Sequence, residues 1–156
     1  MGDLLRLFFI GTVVVTLQWL FFGRLDLWGA TPDVVLLFVL WVAVRYGQTT
    51  GTVAGFLVGF ALDAIYGLWG IHMLVKTVIG FLVGLLSMIN SEAFVRSVRR
   101  VVETTLVISL VHNSLLALFV VMQRGTGWGY LLWVLCVGST LYTTLVAFLA
   151  ATFWRR

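Results

Sequence analysis

Residues 47–84 read GQTTGTVAGFLVGFALDAIYGLWGIHMLVKTVIGFLVG, and this stretch decides the fold. Gly47, Gly51, Gly55 and Gly59 recur at every fourth position, and Asp63 and Gly67 occupy the next two steps. A second track follows at the same spacing: His72, Lys76, Gly80 and Gly84. Residues four apart on a helix are neighbours on one slowly drifting face. The stretch therefore predicts two antiparallel helices, about 50–66 and 71–89, each with a glycine track that ends in ionisable residues near a shared turn. Both lie in strongly apolar surroundings, where small residues let backbones approach and a charge is costly unless paired.

Working outward, the composition says what surrounds this pair. Of the 156 residues, 62% are hydrophobic and 10% are charged, whereas about 25% of a soluble domain is charged. So few polar side chains cannot cover a surface facing water, so the chain reads as an all-α, polytopic membrane protein in a single domain. Its net charge of +4 is too dilute for nucleic-acid binding. Arginines beside apolar spans instead mark the cytoplasmic side. The single cysteine, Cys136, excludes an internal disulfide. No small-residue cleavage site follows the first apolar stretch, which is expected to be retained.

Six spans are predicted, at about 4–22, 31–46, 50–66, 71–89, 104–122 and 130–154. An interfacial cytoplasmic helix is expected at about 91–103. Trp19 and Trp28 suit an aromatic belt at the far end of the first span. Thr31, Pro32 and Asp33 form a helix start, with Thr as N-cap and Pro in the first turn. The second apolar run, 34–44, falls below the ~20 residues that span a bilayer, so five spans and six both fit. In the six-span arrangement the N-terminus is cytoplasmic, and Arg6, Arg45, Arg96, Arg99, Arg100, Arg155 and Arg156 all lie inside. Both arrangements place the C-terminus and the Arg96–Arg100 cluster in the cytoplasm and the Gly67–Gly70 turn outside. Arg96, Arg99 and Arg100 share a basic face suited to anionic lipid or to a cytoplasmic partner.

The order Pro32-Asp33, Gly51, Gly55-Phe56, Gly59, Asp63 and then Leu68 to Gly70 resembles the MreD family of bacterial rod shape-determining membrane proteins. The resemblance covers about residues 31–86; the last two spans carry no matching motif. It implies a six-helix bundle similar to the substrate-binding subunits of energy-coupling-factor transporters. It also implies a non-enzymatic role, without a cofactor, in the inner membrane. The implied partners are MreC, a single-span protein with a periplasmic domain, together with MreB, RodA and its partner transpeptidase.

The site residues carry two readings each. Gly51, Gly55, Gly59, Gly80 and Gly84 either pack the two helices together or leave a track for a partner's helix. Gly51 and Gly55 are assigned to an outward-facing portion that would receive MreC. Asp63 is expected to pair with Lys76, with His72 as the competing partner. Alternatively, Asp33, Asp63, His72 and Lys76 line an outward-opening polar cavity. Ser109, His112 and Asn113 form an interhelical polar cluster, in which Ser109 and Asn113 share the inward face. His112 and Ser114, two apart, point away from each other, so no nucleophile–base pair is predicted. Two histidines and one cysteine make a protein-built zinc site a poor reading. A vitamin-binding transporter subunit is the competing function. Such subunits present an Ala-xxx-Ala surface on the first helix, where this chain has Gly11 and Val15 and no alanine.

Overall fold

The computed structural model describes residues 2–68, 70–95, 97–124, 129 and 132–154. Over these the chain is helical: α1 (Gly2–Leu20), α2 (Val34–Tyr66), α3 (Ile71–Val95), α4 (Val98–Arg124) and α5 (Thr140–Trp154). A 3-10 turn occupies Phe22–Arg24, and a π-helical stretch, Leu132–Ser139, runs into α5. Among the described residues, four stretches are long and apolar enough to cross a membrane: Gly2–Arg24, Val34–Tyr66, Val98–Gln123 and Cys136–Phe153. The apolar part of α3, Ile71–Ser87, is shorter. Helices are the expected solution, because a backbone in hydrocarbon must satisfy its own hydrogen bonds. Large apolar side chains such as Phe8, Phe9, Leu57, Leu86 and Phe153 face outward. The chain is a membrane protein.

The expected second and third spans occur as one helical run, α2, broken at Gly47. There φ is 84° and ψ is −177°, a conformation that an L side chain rarely adopts. The chain folds back at this residue. A Cβ on Gly51 would stand 2.6 Å from the Ala43 Cβ, whereas eight residues of straight helix would separate them by about 12 Å. Val35 and Phe38 of the first arm likewise share a core cluster with Val58 and Leu62 of the second. α2 is thus a hairpin of two arms, and its far end is closed by Gly67 in the left-handed region.

The second arm lies antiparallel to α3 at backbone contact. Gly51 faces Gly80, Gly55 faces the Lys76 carbonyl, Gly59 faces His72 and Met73, and Gly84 faces Gln48. Any Cβ added along this seam would enter the opposing backbone. Gly51 and Gly55 are therefore internal packing positions, and the expectation that they face outward is corrected. Ala43 on one side and α3 on the other close over them.

The first arm is the centre of the bundle. Val35, Leu36, Val39, Val42 and Ala43 are all completely buried. They lie among Leu7 and Val15 of α1, Val58 and Leu62 of the second arm, Val75, Ile79 and Val83 of α3, and Ile108, Leu115 and Phe119 of α4. This explains a short segment that is apolar on every face. It runs parallel to α3: Asp33 reaches Lys76, and the Ala43 carbonyl accepts from the Ser87 hydroxyl at 3.2 Å.

The interfacial helix expected at about 91–103 is not a separate element. Residues up to Val95 continue α3, and Val98 opens α4, whose Arg100 N–H is capped by the Ser97 hydroxyl at 3.2 Å. A serine cap restarts a helix wherever the preceding turn has ended. α3 continues eleven residues beyond Gly84, roughly 16 Å of helix past the Gly47 hinge. Arg96 lies outside the described residues. Arg99 is exposed and donates to Glu103 one turn on, at 2.7 Å.

Candidate functional site

The polar side chains converge at the start of α2. Asp33 is its N-cap, and one carboxylate oxygen accepts from the Leu36 N–H at 2.7 Å. The other accepts from the Lys76 ammonium of α3. Lys76 also donates to His112 Nε2 of α4, 3.2 Å away. That contact makes Nε2 the acceptor, so the ring proton sits on Nδ1 and is donated to the Asn113 Oδ1 at 3.0 Å. The Asn113 amide nitrogen then donates to Thr140 of α5 at 3.0 Å and to Ser109 at 3.4 Å. Each donor meets an acceptor along the whole chain of contacts, the condition under which a buried polar network rigidifies a core.

Two further helices tie into the same point. Gln18 of α1 clamps the entrance of α2, donating to the Pro32 carbonyl and accepting from the Val34 N–H, both at 2.9 Å. From α5, Thr143 accepts from the Asp33 N–H at 2.9 Å, and Ser139, at the end of the π-helical stretch, accepts from the Thr31 N–H at 3.3 Å. The four other helices therefore converge on the first residues of α2.

Asp63 lies elsewhere, and the expected Asp63–Lys76 pair is corrected. Its carboxylate accepts from the backbone N–H groups of Gly70, His72 and Met73, each at 2.9 Å. These are donors at the N-terminus of α3 that a helix leaves without an internal partner. The reason is register. Facing residues of the second arm and α3 have numbers totalling 131 or 132, so Lys76 lies level with Gly55. Asp63 is two turns farther along, opposite the turn itself. His72 does not compete for Lys76. Its ring lies 5.8 Å from that of Tyr66, and its buried Nδ1 has no hydrogen-bond partner among the described residues.

Of the residues singled out from sequence, Asp33, Lys76, Ser109, His112 and Asn113 are brought together, and Asp63 and His72 are not. Gln18, Ser139, Thr140 and Thr143 are additional members. Gln18 carried a signal, as the one side-chain amide in the first span; the hydroxyls of Ser139, Thr140 and Thr143 did not, since such groups often bond their own helix, as Thr144 does to the Thr140 carbonyl at 2.7 Å. Chemically, the arrangement is a lock. Both ring nitrogens of His112 are engaged, and the Ser114 hydroxyl bonds the Cys136 sulfur at 3.7 Å, not the imidazole. No group of three or more metal-ligating side chains occurs among the described residues.

The family described as "rod shape-determining protein MreD" matches the chain over residues 3–153. No curated protein and no solved structure matches it.

Proposed function

Because the chain belongs to the MreD family of rod shape-determining proteins, we propose that it is a non-enzymatic scaffold of the cell-wall elongation complex in the cytoplasmic membrane. In this reading it crosses six times, the two arms of α2 counting as separate spans. Both termini, the Gly47 hinge and the α3–α4 junction lie inside; the loops before α2 and α3 lie outside. It binds the single helix of MreC laterally and helps to assemble MreB, RodA and the partner transpeptidase. Its basic residues Arg99 and Arg100, with Arg96, meet anionic lipid or a cytoplasmic component.

The observation that carries this reading is the convergence of the four other helices on the start of α2. There, polar side chains are used against one another, and the bundle keeps an apolar exterior for lateral association. The glycine seam is occupied internally, so MreC is assigned to another face of the bundle. Co-purification with an MreC homologue expressed in the same membrane tests the proposal. Retention of the homologue through detergent extraction is expected, and its complete absence would remove MreC binding from the reading. Reporters at the N-terminus, the hinge and the C-terminus test the topology: all three should report cytoplasm.

A further inference from the structure

The connector between α1 and α2 has an unusual construction. Leu27 and Ala30 exchange both backbone hydrogen bonds at 3.0 Å, closing a two-residue turn at Trp28 and Gly29. Both central residues have positive φ, 54° and 89°, the geometry of the mirror-image turns that favour Asn, Asp or Gly. Trp28 is the one non-glycine residue with positive φ among those described, and it is 97% exposed. An indole held in this strained conformation and left exposed needs an environment that repays it.

The backbone of the connector points to that environment. The N–H groups of Arg24 and Leu25 donate to carbonyls of the preceding turn. Those of Leu27 and Ala30 donate to each other's carbonyls, and that of Gly29 to the Asp26 carboxylate. Thr31, Asp33 and Val34 donate to Ser139, Thr143 and Gln18. Most of the connector's N–H groups are thus paired within the protein, which suits a water-poor layer, where an unpaired backbone group is costly. Its outward side chains match: Leu25, Leu27 and Trp28 are exposed, and the Asp26 carboxylate is turned back into the loop. The loop leaves α1 directly after Trp19 and Phe21, both exposed and aromatic. At the base, the Ala30 methyl seats against Gly138, which fixes the turn to the π-helical stretch.

We infer that the 25–30 turn is a rigid foot inserted into the headgroup–acyl boundary of the bilayer, with the Trp28 indole as its anchor. Lipid is its partner, and the indole's amphipathic ring suits that layer. The foot sets the depth of the α2 N-terminus, and so of the Asp33–Lys76 junction, within the membrane.

The test uses the full chain in liposomes with Cys136→Ser and Trp28→Cys, labelled at position 28 with an environment-sensitive fluorophore. Leu27→Cys provides a second labelling position should the first variant fold poorly. The expected result is a blue-shifted emission that is lost to nitroxides placed shallowly in the lipid and retained against aqueous iodide. Quenching by iodide with no response to the nitroxides would overturn the inference. So would shielding from both quenchers, whether by the chain itself or by an added protein partner.

Discussion

Lys76 bonds Asp33, which lies 43 residues away in sequence, and not Asp63 on the arm of α2 that runs antiparallel to its own helix. The distinction follows from the two registers in which α3 is held, antiparallel to one arm of α2 and parallel to the other. It determines what each acidic residue does: Asp33 caps α2 and neutralises a buried ammonium, and Asp63 caps α3.

Breaking the pair from one side should be worse than removing it. Lys76→Met leaves the Asp33 carboxylate and His112 Nε2 without their donor and should cost about 3 kcal/mol or more. The Asp33→Asn/Lys76→Met double variant should recover a large part of that loss. The Asp63→Lys/Lys76→Asp exchange should give no rescue. Thermal unfolding of the detergent-solubilised protein, followed for the wild type and all three variants, checks each ordering.

Asp63→Ala should free the Gly70, His72 and Met73 amides at once, a loss of about 1–2 kcal/mol by analogy with removal of a helix cap. Hydrogen exchange at those three amides should accelerate while exchange near Lys76 stays slow. Equal acceleration at both places would mean that Asp63 supports the junction after all.

Two glycines should fail for different reasons. Gly55→Ala drives a methyl into the Lys76 carbonyl and should cost about 1–3 kcal/mol through overpacking. A Cβ on Gly47 meets nothing within 4 Å, yet its positive φ should make Gly47→Ala destabilising by about 1 kcal/mol. Gly2→Ala, with open space around it and no positive φ, is the neutral control. Melting temperatures in one detergent rank the three.

Asn113→Leu removes the acceptor for the His112 ring proton and the donor to Thr140 and Ser109. Leaving these buried groups unpaired should cost about 1–3 kcal/mol. Disulfide trapping between cysteines introduced on α4 and α5 should become less efficient in the variant, as the two helices lose their polar tie.

The sequence by itself determined that the chain is helical, that its solvent is lipid and that two helices meet along glycine. These are written in local composition and in a four-residue period, and none of the three depends on where distant segments lie. The family resemblance, read from residues 31–86, extends over residues 3–153. What only the tertiary structure decided is which buried charge meets which. Gly47 turns α2 back on itself, and the seam between its second arm and α3 is set one to two turns from the position implied by a turn centred at Leu68. A shift of that size leaves every glycine facing glycine or backbone, because the track repeats every turn. It moves a lone carboxylate by several ångströms, and that is enough to give Lys76 a different partner.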